Sequence, residues 1–189
     1  MSNQFIDYLL RIRLPLTLFV VAVAFTITFF LSRAERDGVG YSPDQPIAFS
    51  HALHAGQMGI DCQYCHTGVE KSRTAGIPQV ATCMNCHSLA RKDRPQIIKL
   101  TEYYQQGKPI PWKRIHRVPE YAYFNHSVHV NKGIQCASCH GQIDQMEKVA
   151  QVNSFTMGAC LDCHRNASSK LTYLKNVKNG PEYCWACHR

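Results

Sequence analysis

Five times in this chain of 189 residues, two cysteines stand three positions apart with a histidine directly after the second. The runs are Cys62, Cys65 and His66; Cys83, Cys86 and His87; Cys136, Cys139 and His140; Cys160, Cys163 and His164; and Cys184, Cys187 and His188. All ten cysteines fall inside these runs. Two thiols one helical turn apart can each form a thioether with a vinyl group of one haem, and the histidine that follows then lies under the ring as an iron ligand. Zinc pairs would not need a histidine after every second cysteine, and a thiol redox protein would not need five copies. The pattern predicts five covalently attached c-type haems. It leaves no cysteine for a disulfide or for catalytic thiol chemistry.

Five of the ten histidines are used by the motifs. The other five, His51, His54, His116, His126 and His129, equal the number of second axial ligands that five haems require. His51 and His54 belong to Phe49-x-His51-x-x-His54, and His126 and His129 to Phe124-x-His126-x-x-His129, an offset of 75. The motifs repeat with them: Cys62–His66 matches Cys136–His140 at an offset of 74, and Cys83–His87 matches Cys160–His164 at 77. This predicts a duplicated two-haem unit, residues 48–87 and 123–164, with the fifth haem at 184–188. Two histidines three apart on a helix are displaced along its axis, so they can serve two neighbouring haems and hold them close. His116 has no counterpart in the repeat; if it is not a ligand, Met157 or Met146 is the expected substitute, and methionine ligation would raise that haem's potential.

Length fits one domain plus an anchor. About 30 residues per haem are too few for an ordinary side-chain core, so the haems must supply most of the apolar interior. The formal charge of +8 would suggest nucleic acid or an anionic membrane. Five haems bring about −10 in propionates, however, and many Lys and Arg side chains then have internal partners. No nucleic-acid partner is expected. The densest cluster, Arg91-Lys92-Asp93-Arg94, reads as a solvated loop or a propionate clamp.

Residues 1–13 form a polar lead-in. Residues 14–32 carry no charge and as a helix would span about 30 Å, enough to cross the hydrocarbon. The run exceeds a signal-peptide apolar region, and Leu31-Ser32-Arg33-Ala34 is a poor cleavage site, so an uncleaved anchor is expected. C-type haem is attached outside the bacterial inner membrane, which places the haem domain on the periplasmic side and the N-terminus inside. Residues 33–47, with Gly38, Gly40, Pro43 and Pro46, read as a linker, and residues 48–189 as the pentahaem domain. Asp93-Arg94-Pro95 should cap and start a helix with Ile97, Leu100 and Tyr104 on one face and Gly107 at its end. Residues 109–121 are proline-bounded and extended. Lys170–Lys178 reads as a short helix closed by Asn179-Gly180-Pro181. Strand signals are poor. The expected class is mostly α and irregular: one transmembrane helix, then a haem-packed multihaem cytochrome c domain.

Phe49–His66 and Phe124–His140 resemble the cytochrome c3/c7 class. That resemblance implies that the first histidine of each unit ligates the haem of the following motif, His51 that of Cys62/Cys65 and His126 that of Cys136/Cys139, while the second goes to another haem. The single span, the five motifs, the segment PIPWKRIHRVPEYAYFNHSVHV and the run SFTMGACLDCHR further resemble the pentahaem (ActA) subunits of alternative complex III. This implies a bacterial quinol-oxidising membrane complex. Its other members would be polytopic quinol-binding subunits, an iron–sulfur subunit, and a monohaem cytochrome or terminal oxidase.

The sequence therefore favours an electron-relay subunit that is not itself an enzyme. A multihaem reductase needs an open iron site, whereas the distal histidines here suffice to close every iron. A free-standing quinol dehydrogenase of the NapC/NrfH type shares the anchor, but Thr67-Gly68 follows His66, where that family has a methionine shortly after its first motif. A pyridine haemochrome assay should give five haems per chain, and four for Cys184→Ala/Cys187→Ala. Denatured holo-protein should offer no thiol to an alkylating reagent.

Overall fold

The computed structural model describes residues 3–31 and 37–188. Ser32 of the expected span, the stretch 33–36 with its flanking charges, and residues 1, 2 and 189 lie outside the described residues. The chain divides into two units, Met1–Arg36 and Asp37–Arg189.

The first unit is helical: α1 (Asn3–Tyr8), a π-wound turn (Leu9–Arg13) and α2 (Leu14–Leu31). Ile6–Leu31, 26 residues, would extend about 39 Å at 1.5 Å per residue, long and apolar enough to cross a membrane. Helix therefore begins well before residue 14. An Asp7–Arg11 ion pair one turn apart and Arg13 donating to the Tyr8 hydroxyl satisfy the polar groups of the lead-in within the helix.

The second unit has short helices joined by turns: α3 (Cys62–Cys65), α4 (Val80–His87), α5 (Pro95–Gln105), α6 (His126–Val130), α7 (Ala137–His140), α8 (Met157–Arg165) and α9 (Ala167–Lys170). A π-wound turn spans Ala52–Gln57, and 3-10 turns span Ile143–Gln145 and Cys184–Ala186. No strand occurs among the described residues. Such short helices are not self-sustaining. Three of them start at a side-chain cap: Asp61 accepts from the Gln63 amide before α3, Asn125 from Ser127 before α6, and Thr156 from Ala159 before α8.

The two Phe-x-His-x-x-His segments are wound differently for a reason visible in the numbering. Seven residues separate His54 from Cys62, but six separate His129 from Cys136. A π turn takes up one extra residue without breaking the helical path, and the longer copy is the one wound as π.

Side-chain packing is thin. The buried apolar residues described are Ile47, Val69, Leu100, Ile110, Ala167 and Leu171. Ile47, Leu100 and Ile110 touch one another beneath Val80, Met84, Ile97, Tyr103 and Trp112. On α5 it is thus Tyr103, not the expected Tyr104, that packs with Ile97 and Leu100; Tyr104 is half exposed. Pro95 does open α5, but the residue at the cap is Arg94 and no side chain caps it. Gly107 ends it with φ +63°. Residues 91–94 are exposed. The helix expected over Lys170–Lys178 is instead α9, finishing at Lys170: Leu171 is buried, and Asn176 takes φ +57°, which no helix continues through.

The stretch read as a linker is held along residues 37–47. The Gly40 amide donates to the Gln151 carbonyl and the Gln151 amide to Tyr41, while the buried Gln151 side chain donates to the Asp37 carbonyl. Gln45 exchanges two bonds with the Lys113 backbone, and Lys99 donates to the Pro46 carbonyl. Gly38, at φ +78°, lies so near Gln151 that a Cβ would come within 2.9 Å of its side-chain oxygen.

Another glycine contact is backbone against backbone. A Cβ at Gly56, in the first Phe-x-His-x-x-His segment, would overlap the carbonyl oxygen of Asp144. Gly56→Ala should therefore destabilise the domain by about 1–3 kcal/mol through overpacking, measured by denaturant titration with the Soret band as reporter. Gly158→Ala is the control: that glycine too is helical without a positive φ, and the nearest atom to a Cβ there, Thr156 Oγ1, is 4.0 Å away.

Candidate haem sites

Each cysteine–histidine motif forms a single helical turn or the end of a longer helix, which brings its two thiols to one side. All ten cysteines are free thiols. Burial raises the Cys62, Cys65, Cys83 and Cys160 thiols and pushes Cys139 up to about 11. Before attachment these groups are protonated and poorly nucleophilic toward disulfides, which suits thiols that must survive until a vinyl group arrives.

The imidazoles share a second feature. In seven of them Nδ1–H donates to a main-chain carbonyl: His66 to Gly76, His87 to Ala90, His164 to Pro181, His188 to Tyr121, His54 to Ser50, His126 to Arg73 and His129 to Asn125, at 2.7–3.1 Å. A carbonyl can only accept, so the hydrogen sits on Nδ1 and Nε2 keeps its lone pair for a metal. Burial keeps others neutral: His51 and His140 are held down to about 4, in each case by desolvation first and neighbouring histidines second.

Ring positions test the fit to haem directly. Two imidazoles on opposite sides of a metal, each with a bond of about 2.0–2.1 Å, have their centres about 6 Å apart. His126 and His140 stand 6.3 Å apart with planes 1° from parallel. His129 and His164 are 6.2 Å apart, and His54 and His87 6.1 Å. These pairs each join a motif histidine to one of the five others. Among the residues that lower His51, His66 comes first after burial. Three ring nitrogens are buried with no partner: His51 Nδ1, His140 Nδ1 and His116 Nε2. No group of three or more His, Cys, Asp or Glu side chains that could hold a metal ion exists among the described residues.

The phenylalanine of each Phe-x-His-x-x-His segment has a structural task the sequence did not reveal. Phe49 lies edge-on to His51 at 4.8 Å and stacks on His54 at 4.4 Å; Phe124 does the same to His126 at 4.8 Å and His129 at 4.6 Å. One ring thus fixes both imidazole planes. His116 is brought to the middle motif, 4.4 Å from His140 and T-shaped to it, with Phe155 alongside. At the fifth motif the ring stacked on His188 is Tyr121, 5.8 Å away. Met157 is exposed, and Met146 is half-buried beside Gly141.

Gly180, expected only to stop a helix, presses on a candidate ligand. Its amide donates to the His164 carbonyl, and a Cβ there would come within 2.5 Å of the His164 ring. Nothing in the Asn-Gly-Pro run marks this contact. Gly180→Ala should tilt His164 and lengthen its bond to the Pro181 carbonyl, shifting the low-spin electron paramagnetic resonance signal of one haem and leaving the others in place.

Two family models match the chain. Residues 122–189 match cytochrome c7 and related cytochrome c, and residues 30–109 match the class III cytochrome c family. The chain is also similar to the menaquinone reductase, multiheme cytochrome c subunit, of Nitratidesulfovibrio vulgaris strain Hildenborough, at 27% identity over 77% of each chain. The motifs, the imidazole geometry and these likenesses agree on the features of a multihaem cytochrome c, a kind of protein that serves electron transport.

Proposed function

We propose that this chain is the membrane-anchored pentahaem subunit of a quinone-linked respiratory complex, and that it passes electrons without binding a reactant. The observation that carries the reading is the set of imidazole pairs at 6.1–6.3 Å, a separation at which protein fills both axial positions of an iron. The thioether positions are Cys62/Cys65, Cys83/Cys86, Cys136/Cys139, Cys160/Cys163 and Cys184/Cys187. The axial pairs are His126 with His140, His129 with His164, His54 with His87, and His51 with His66 by correspondence between the two Phe-x-His-x-x-His segments. His188 is the proximal ligand of the fifth. His116 is the remaining imidazole of the five; it stands beside His140 with its Nε2 buried and without a hydrogen-bond partner, which supports a ligand role without tying it to His188.

When bound, the haems supply reversible one-electron chemistry. The chain's own residues set the conditions. Backbone carbonyls bonded to Nδ1–H fix each ring's tautomer and raise its basicity toward the metal. Phe49 and Phe124 fix the ring planes. Bis-histidine ligation leaves no position for substrate, which favours relay over a multihaem reductase.

The similarity to a menaquinone reductase subunit and the layout of an alternative complex III subunit agree on a quinone-linked partner and differ on direction. Oxidation of quinol by polytopic subunits, with an iron–sulfur subunit and a monohaem cytochrome or terminal oxidase beyond, is the reading favoured by the five-motif layout. Delivery of electrons to menaquinone is favoured by the similarity. Purification of the native complex with subunit identification separates them: haem reduction by added menaquinol supports the first, and oxidation of pre-reduced haem by menaquinone supports the second. A carbon monoxide difference spectrum of the reduced complex should show no haem that binds the gas. His126→Ala should create one such haem.

A further inference from the structure

The loop after the first motif docks on the helix of the second Phe-x-His-x-x-His segment. The Arg73 carbonyl accepts from both the amide and Nδ1–H of His126, the Ser72 carbonyl accepts from the Ser127 amide, and Asn131 donates to the Glu70 carbonyl. The reverse contact is also present. The Met146 carbonyl, in the loop after the third motif, accepts from the Ala52 amide of the first segment at 3.0 Å. Ala52 corresponds to Ser127 at the offset of 75, and Ser72 to Met146 at the offset of 74. The same bond is thus made twice, once in each direction. Gly56 against the Asp144 carbonyl belongs to the same docking. Reciprocal contacts between equivalent residues are the mark of a two-fold, isologous interface, here between two halves of one chain.

An interface of this kind brings like to like. The Cys62 thiol is a near neighbour of that of Cys136, its own counterpart; burial and then this neighbour raise it. The outer motif of each half is tied to its inner one. His54 faces His87 and Asn85 donates to the Tyr64 hydroxyl, tying the second motif to the first. His129 faces His164, tying the fourth to the third. The fifth motif follows directly on Gly180 and Pro181, which hold His164, and on Glu182, which pairs with Arg165 at 2.7 Å.

We infer that the two halves meet head to head about a pseudo-two-fold axis, so that the haems stand in the order second, first, third, fourth, fifth. Chain order and spatial order differ at the first two. The ends of the relay are the Cys83/Cys86 and Cys184/Cys187 haems, and every electron crossing between halves passes the Cys62–Cys136 junction. Two departures from symmetry have one source. His51 and His140 lack the Nδ1 bonds that their counterparts His126 and His66 make to Arg73 and Gly76. Both gaps fall beside the loop after His140, which is three residues longer than its equivalent, 19 residues between His140 and Cys160 against 16 between His66 and Cys83.

The inference rests on the pentahaem reading, and a cryo-electron microscopy map of the holo-complex tests the two separately. The expected map has five porphyrins, with the iron of the first motif nearest those of the second and third, and that of the third nearest those of the first and fourth. Five porphyrins in another neighbour order overturn the inference and leave the relay standing. Fewer than five, or an iron face open to solvent, overturns the relay reading, and fewer than five overturns the order with it. Cys136→Ala/Cys139→Ala gives an independent readout. After flash reduction, spectroscopic equilibration among the remaining haems should slow at least tenfold, whereas Cys184→Ala/Cys187→Ala should leave equilibration among its remaining four unchanged. Equal rates in the two variants overturn the order.

Discussion

The hydrogen bond from a histidine Nδ1–H to a main-chain carbonyl recurs at His54, His66, His87, His126, His129, His164 and His188. Each such bond is worth about 1 kcal/mol net, little for folding. Its effect is on the ring, which can then neither flip nor change tautomer, and presents Nε2 in a set direction. Several of these carbonyls come from a different part of the chain than the ring they hold: Arg73 for His126, Pro181 for His164, Tyr121 for His188. Ligand orientation and tertiary structure are therefore the same set of contacts. A chain that has not closed these loops has not oriented its imidazoles.

That coupling accounts for the sparse side-chain core. Beyond the Ile47–Leu100–Ile110 cluster and a few single residues, the described side chains of the second unit are at least partly exposed. Short helices fixed by caps and loops fixed by backbone bonds leave histidine pairs about 6 Å apart, facing one another. The domain is organised around spaces between rings, and hydrophobic burial between side chains is secondary. The buried Gln151, bonded to Asp37, Tyr41, Gly40 and Asn153, shows the same economy: one polar side chain and its backbone, fully satisfied, hold a loop that an apolar core would hold elsewhere.

Much of the site was legible because covalent chemistry imposes fixed spacing. The thioether cysteines and the histidine after each second cysteine must be contiguous, so no tertiary knowledge is needed to find them. The Phe-x-His-x-x-His pattern was legible as a repeat, yet the reason for its phenylalanine was not, since ring stacking on two imidazoles leaves no signature beyond position. Tyr103 displaced Tyr104 from the core because adjacent positions on a helix both lie near a broad apolar face, and only the packing partner chooses between them. The helix expected after Lys170 fails because burial of Leu171 and the left-handed turn at Asn176 are set by neighbours distant in sequence.

The amino-acid order determined the five cysteine–histidine motifs, the pool of five further imidazoles, the long apolar N-terminal helix and the lack of strand among the described residues. These are local properties, fixed by spacing along a few turns of chain. The tertiary structure decided which imidazole faces which, that His116 stands beside His140, and that the stretch 37–47 is pinned rather than loose. It also set the docking of each post-motif loop on the helix of the other half. Many of those choices rest on backbone groups meeting across 53 to 111 residues, and a hydrogen bond between two peptide units carries no trace of its partner in either residue's identity.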